Sequence, residues 1–473
     1  MSSVNVFLKA AFSLIFRFCF YLLKTVRTIE CGSYEKICQK TVNPNPMAKI
    51  TQIDGDELTV EVKIKITGSL LESEQVILDA CNKVGKTATG YAIKKNDTDG
   101  SAIQIGNVKF TARDLTSKIY ETPYGEVEVS RYVYQNSKGG KIYCPLEHNA
   151  RIIRNATPQF ARQIAHKYAT MNAPAVCQDL ADNHHRKISH SYVQAVTDWV
   201  GSIALAKEET WEYATPELDC AISSIVISMD GAYVLMRDDG YREAMVGAIS
   251  LYDVEGIRQH TIYIGEAPEY GKGTFIERLE REITRIKKLY PKAIYLGIAD
   301  GAKNNWSFLE KFTDAQLLDF FHVTEYLTNV SYAAHPGKTD KPKREAWLNE
   351  RCKQLKHEEQ TIDNIIKEME KFAKNKKLTV TVKENLTAAQ TYFANNRHRM
   401  DYANHTLQNL PIGSGVTEAA CKTLVKQRLC CSGMRWKPQG SKVILSLRAL
   451  IQSNGRWQQF WEKVDQFGTQ VCV

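Results

Sequence analysis

The sequence predicts an α/β protein built on a mixed β-sheet, with a helical insertion late in the sheet and β-rich and helical regions ahead of it. Three observations carry this. Residues 221–266 hold three apolar runs of strand length with only turns between them, the pattern of a meander. Residues 273–289 then place apolar side chains at 275, 279, 283 and 286, a helical stripe. Strand and helix alternate from there to about residue 332, as crossover connections require.

Taken in order, residues 1–46 are apolar but are interrupted by Lys9, Arg17 and Lys24. No uninterrupted run reaches the roughly 20 residues of a spanning helix, and no small-residue cleavage pattern follows. The segment reads either as part of the chain or as an upstream extension of the frame with the start at Met47. Residues 47–155 form a β-rich region. In it "LTVEVKIK" (59–66) alternates apolar and polar, a helix is expected over 70–85, and 117–145 offers two or three strands that turn at Pro123-Tyr124-Gly125 and Lys138-Gly139-Gly140. Residues 156–215 are helical. There a helix over 175–183, a basic turn over 184–188 and a second helix from Ser189 or Ser191 have the layout of a helix-turn-helix. His184, Arg186, Lys187, His190 and Ser191 stand where phosphate or base contacts are made; the alternative is a plain α-hairpin with a solvated basic loop. The three histidines lack flanking ligands at zinc spacing.

In the sheet region (216–332), "AISSIVISMD" ends a strand at Asp230, and two more strands follow it. After the helix, a strand over 293–299 ends at Asp300, and "AQLLDFFH" gives a last strand with Asp319 and His322 at its end. Residues 333–410 are helical and rich in Lys, Glu and Gln, with a brief β-like "LTVTV". Residues 411–473 close the core, with Glu418 in the first turn of a helix on a face shared with Lys422 and Val425. Ser414 stands four residues before Glu418, one too many for a capping box. The order β-β-β-α-β-α-β is that of a ribonuclease-H-like sheet, in which the first strand lies beside the fourth. Asp230 and Asp300 then end adjacent strands.

Composition bounds the function. The chain has 473 residues, 43% of them hydrophobic and 24% charged, with net charge +9, which fits a soluble globular protein of about three domains and permits a polyanionic partner. Twelve cysteines with no C-x-x-C read as reduced thiols in a cytosolic protein. "GEAPEYGKGT" occupies the place of a phosphate-binding loop but has five residues between Gly265 and Gly271, and Gly273 where a Ser or Thr is needed. No nucleotide cofactor is expected, and no membrane.

Asp230, Asp300 and Glu418 make an oxygen-only set suited to Mg²⁺ or Mn²⁺. Two such ions serve in-line displacement at phosphorus. The alternative is a solvated acidic surface, with Asp300 only capping the next helix.

Across residues 115–465, "SMDGAYV", "YLGIADGAKNNW", "LLDFFHVTEYL" and "LPIGSGVTEAACKTLVKQRLCCSGMRW" resemble, in order, the motifs of bacterial insertion-sequence DDE transposases. The similarity is greatest to the Kra-type group, distantly related to Mutator-like transposases. The resemblance implies a ribonuclease-H-like catalytic core with a helical insertion. It implies catalysis and two-metal binding by Asp230, Asp300 and Glu418, and a supporting D-x-x-H pair, Asp319 and His322. The implied partners are terminal-repeat and target DNA and at least a second copy of the chain when DNA is bound, in a bacterial cytoplasm at the nucleoid. Lys303, Lys422, Lys426, Arg428 and Arg435 flank the acids as candidate phosphate contacts. Trp436 and Trp306 are candidates to stack on an unpaired base, with core packing as the alternative for each. "HHR" at 184–186 replaces the family's frequent "HGR". A structure-specific nuclease and a DNA-binding regulator that has lost catalysis are the competing functions.

Overall fold

The computed structural model describes residues 48–140 and 142–469, so the expectations for residues 1–46 and for a start at Met47 lie outside the described residues. The chain divides into two compact units, one ending at Ala88 and one running from Thr89 onward. The first holds an antiparallel hairpin, β1 (Ala48–Asp54) and β2 (Glu57–Val62), turning at Gly55, and the start of helix α1 (Leu70–Lys94). Ser69 and Glu72 cap that helix reciprocally: Ser69 N donates to Glu72 Oε2 at 2.7 Å and Glu72 N to Ser69 Oγ at 3.3 Å.

The second unit begins with an antiparallel sheet ordered β3 (Ile103–Ile105), β4 (Val108–Thr122), β5 (Gly125–Asn136). The expected second hairpin shrinks to a single bridge, Tyr134 to Tyr143, because Pro145 opens helix α2 (Pro145–Asn149) two residues later. Helices α3 (Pro158–Thr170), α4 (Ala173–His184) and α5 (His190–Lys207) follow. Asn172 caps α4, His185 ends it at φ 52°, and Ser189 caps α5, so the expected helix, turn and second helix are present as an α-hairpin.

The central sheet has the order β10-β9-β6-β7-β8. Its strands are β6 (Ile222–Met236), β7 (Gly240–Asp253), β8 (Arg258–Glu266), β9 (Ile294–Ala299) and β10 (Ala315–Leu318). The first three form the meander, and β6 pairs parallel with β9, which pairs parallel with β10. The first strand thus lies beside the fourth, as the element order predicts. Helices α6 (Gly273–Leu289), α7 (Lys303–Leu309) and α8 (Phe320–Ala334) are the connections. Phe275, Leu279, Ile283 and Ile286 of α6 are fully buried. A Cβ on Gly247 of β7 would stand 3.2 Å from Leu279 Cδ1 and 3.3 Å from Phe275, so a bare backbone is what admits that stripe.

Three local expectations need correcting. Strand β6 does not end at Asp230 but runs six residues further, because Ala232, Val234 and Met236 bury against Leu424, Val425, Leu429 and Ile444. Residues 319–322 are not strand: the Asp319 side chain accepts from Phe321 N at 2.8 Å and starts α8. "LTVTV" opens a helix, because Thr379 caps it by accepting from Val382 N, a local bond that overrides the β-branched run.

The insertion comprises α9 (Lys341–His357), α10 (Thr361–Ala373), α11 (Val380–Asn396) and α12 (Tyr402–Leu407). The chain then returns through α13 (Gly415–Ala420), a π-helical segment (Cys421–Lys426) and a last turn (Gln427–Leu429). It ends in α14 (Pro438–Gln452) and α15 (Arg456–Phe467). Helix α14 is buried on two sides: Ile444 and Leu445 face the sheet, while Val443, Leu447 and Leu450 join the core of α3–α5. No described helix is long and apolar enough to cross a membrane.

Candidate metal centre

Strand register brings the acids together. Ser228 of β6 pairs with Ile298 of β9, and Ile298 pairs with Leu317 of β10. Two residues beyond each stand Asp230, still within β6, and Asp300 and Asp319, just past the ends of β9 and β10, so the register sets them at one level. The ladder reaches that level, since Asp319 N donates to Ala299 O at 2.9 Å. Neighbouring strands are about 4.8 Å apart, and level positions share a face.

Helix α13 seats Glu418 over this edge. The Thr417 and Ser228 hydroxyls are hydrogen-bonded. Ser414 donates its backbone N–H to Asp319 Oδ2 at 3.2 Å, and its hydroxyl to the same oxygen. Cys421 Sγ donates to Asp230 Oδ2 at 3.5 Å. Ser414 therefore serves Asp319 rather than Glu418. The π segment changes the face expected from simple helical spacing: Lys422 is exposed whereas Val425 is fully buried, because the wider turn directs Cys421, Leu424 and Val425 together into the core.

One ligand atom each from Asp319, His322 and Glu418 lies within 4.8 Å of the others; Asp230 and Asp300 are not in that compact group. His322 Nε2 is 3.6 Å from Glu418 Oε1, and His322 Nδ1 is 3.1 Å from Glu325 Oε2. Asp230 Oδ1 accepts from Gly231 N at 2.7 Å. Asp300 Oδ1 accepts from Ala302 N at 3.1 Å and Asn305 Nδ2 at 3.3 Å, while Ala302 is the residue at the N-cap of α7.

Burial, and then the Asp319 carboxylate, push Glu418 above the ordinary range. Asp230 and Glu325 add to this, and only His322 opposes it. Burial and the neighbouring Asp230 carboxylate likewise hold the Cys421 thiol well up. Among the described residues none of Asp230, Asp300, Asp319 and Glu418 makes an ion pair with a lysine or arginine. Carboxylates gathered without such a partner repel one another, and a divalent cation relieves that. The donor set therefore fits a hard cation.

The insertion grips the same edge. Tyr392 of α11 donates to Asp300 O at 2.8 Å, and Tyr402 of α12 donates to Leu318 O at 2.8 Å. Burial, followed by the nearby tyrosine and the carboxylates, raises both phenols far above their usual range.

The candidate DNA contacts divide. Lys187, His190 and Ser191 are exposed and His184 half-buried, but Arg186 is only 6% exposed. It pairs with Glu121 and lies 5.1 Å over the Phe160 ring, so it fastens the turn to β4 and is withdrawn from any groove. Lys303, Lys422, Lys426 and Arg435 are exposed. Arg428 is 2% exposed, donating Nε to Tyr168 O at 3.0 Å between the rings of Tyr168 and Trp436. Trp436 donates Nε1 to Leu429 O at 2.9 Å, and Trp306 is 4% exposed beneath Arg399. Both tryptophans pack within the protein. The phosphate-loop look-alike is closed by its own acid: Glu269 accepts from Phe275 N at 2.9 Å and Thr274 N at 3.3 Å, where a phosphate would sit.

The sequence reading missed Cys421, Ser414, Thr417, Ser228, Tyr392 and Tyr402. Cys421, three residues after Glu418, and Ser228, two before Asp230, were accessible from helix and strand periodicity; the tyrosines carry no sequence signal. The chain matches no family model and no curated protein.

Proposed function

We propose that the protein is a DDE-type transposase, similar to the Kra-type insertion-sequence group, acting on the terminal repeats of its own element. The observation that carries the reading is the register that sets Asp230 within β6 level with Asp300 and Asp319 just past the ends of the adjacent parallel strands β9 and β10, with Glu418 set over them. The strand order supports reading the core as ribonuclease-H-like, and the four motifs fall on its edge in the family's order.

In this reading Asp230, Asp300 and Glu418 hold two Mg²⁺ or Mn²⁺ ions. When bound, such ions supply an activated water or 3′-hydroxyl and relief of charge on the leaving oxygen. The protein's own residues keep the acids aimed. Cys421 orients Asp230, Asn305 orients Asp300, and Ser414 holds Asp319. Lys303, Lys422, Lys426 and Arg435 pair with phosphates around the edge, as point charges do without reading sequence. Lys187, His190 and Ser191, at the start of α5, meet the base edges of the repeat. Joining two ends requires at least two copies of the chain on DNA.

The test is cleavage and joining of a labelled duplex carrying the element's end, in Mg²⁺, by wild type and Asp300→Ala. Nicking and joined products from wild type, with binding but neither product from the variant, are expected. Cutting without joining would make the protein a nuclease. Equal behaviour of the two proteins would overturn the assignment of Asp300.

A further inference from the structure

Asp319 and Glu418 supply oxygen alone, yet a nitrogen of His322 lies within 4.8 Å of both. His322 Nε2 stands 3.6 Å from Glu418 Oε1, beyond hydrogen-bond reach though within ion-pair distance, so the two atoms are near enough to share one cation. The other ring nitrogen, Nδ1, is 3.1 Å from Glu325 Oε2. A proton held there leaves the Nε2 lone pair turned toward Glu418. A carboxylate behind the far nitrogen is the arrangement that orients metal-ligating histidines.

Asp319 adds an independent observation. It is wholly buried, and among the described residues its carboxylate accepts hydrogen bonds from Phe321 N, Ser414 N and the Ser414 hydroxyl, with no lysine or arginine paired to it. Buried charges are ordinarily paired with an opposite charge or bound to metal. Two atoms that share one ion at about 2.1 Å lie at most about 4.2 Å apart. The 3.6 Å separation is inside that limit, and the three donors, all within 4.8 Å of one another, exceed it by at most about 0.6 Å.

We propose that His322 is a metal ligand, sharing one divalent cation with Asp319 and Glu418 and biasing the centre toward Mn²⁺ over Mg²⁺. The bias follows because Mn²⁺, although mainly an oxygen-binding ion, accepts a nitrogen ligand as the other first-row transition ions do, while Mg²⁺ holds to oxygen and water. The inference rests on reading the acids as a metal centre, and it assigns Glu325 as the positioning residue behind His322.

The experiment is Mn²⁺ and Mg²⁺ titration calorimetry on the full chain without DNA, with pulsed EPR of bound Mn²⁺ to detect a directly bonded nitrogen. Wild type should bind Mn²⁺ more tightly than Mg²⁺ and show the nitrogen coupling. His322→Ala should lose the coupling and weaken Mn²⁺ binding by about tenfold or more, while Glu325→Gln keeps the coupling with a smaller loss. Circular dichroism and melting of His322→Ala, with His322→Gln as a second variant, separate ligand loss from misfolding. If Mn²⁺ binds without nitrogen coupling, or His322→Ala retains it, His322 is not a ligand. The metal centre itself then stands provided Glu418→Gln abolishes binding. If wild type binds neither ion, both readings fall.

Discussion

Gly301→Ala tests the edge where Asp300 is held. Gly301 has φ +105°, and a Cβ there would stand 3.0 Å from Tyr392 Cε2 and 3.4 Å from Leu318 Cδ1. Tyr392 is not free to retreat. Its ring stacks on Tyr326 with centroids 4.0 Å apart, and its hydroxyl donates to the Asp300 carbonyl. The backbone conformation costs an alanine about 1–3 kcal/mol, and forcing a packed ring adds about 1–3 kcal/mol. Gly106→Ala is the control, with φ +56° and nothing within 4 Å, where the left-handed conformation alone costs about 1–2 kcal/mol. Urea unfolding should therefore place Gly301→Ala about 1–3 kcal/mol below the control, and Mn²⁺ affinity should fall with it. Adding Tyr392→Ala should recover part of the crowding, making the pair less damaging than the sum of the single changes. Equal destabilisation by Gly301→Ala and Gly106→Ala, or strict additivity in the pair, would refute the brace.

Arg428→Lys should lower stability by about 2 kcal/mol or more in thermal melts, since a lysine keeps the charge but not the stack between two rings, while DNA-end binding per folded molecule stays unchanged. Arg186→Gln should destabilise the turn by about 1–3 kcal/mol by leaving Glu121 alone. Burial already raises Glu121 above its usual value against the pull of Arg186. A raised acid favours the fold while protonated and loses that as pH rises through its folded pKa, so the defect should grow with pH and shrink on adding Glu121→Gln. The same sign applies to Glu418, raised from 4.5 by burial and the neighbouring acids: Glu418→Gln should stabilise the metal-free protein at neutral pH by well under about 1 kcal/mol. Cation binding by wild type should start to weaken above pH 4.5 as the solution is acidified. Tyr402→Phe strands the buried Leu318 carbonyl and should cost about 1–3 kcal/mol, with a parallel loss of metal affinity read by calorimetry.

The meander, the α6 stripe and the adjacency of β6 and β9 were legible because each rests on local periodicity or on the order of elements. Asp230, Asp300 and Glu418 stand out in the sequence as a set, whereas the compact group in the structure is Asp319, His322 and Glu418; by residue pattern alone Asp319 and His322 read only as the end of a strand. The end of β6 was misjudged because Asp230 reads as a strand end in isolation. Only the burial of Ala232, Val234 and Met236 under helices some 190 residues later keeps the strand going. Arg186 and Arg428 look like phosphate contacts in sequence because a basic side chain carries no mark of its direction. Glu121 and Tyr168, which turn them inward, are remote in the chain. The change of face after Glu418 was hidden for another reason: the π turn over Cys421–Lys426 is set by packing, and simple 3.6-residue spacing has no term for it.

The position of Glu418 poses the harder physical question, since it follows Asp319 by 99 residues (418 − 319), most of them the helical insertion. Closing so long a loop costs entropy that grows only slowly with length, so precision at the site must come from the neck and not from brevity. The neck is stitched at successive levels. Phe320 N donates to Ile412 O at 3.1 Å, Ser414 bonds Asp319, and Thr417 bonds Ser228. The insertion itself returns two tyrosine hydroxyls to the backbones of Asp300 and Leu318. Each stitch reaches an acid or a residue within two positions of one. Carboxylates that repel one another would otherwise spread apart, and this lattice of neutral hydrogen bonds holds them at one level without neutralising them. A cation then meets a donor set already assembled, so that little of its binding free energy is consumed in ordering the site.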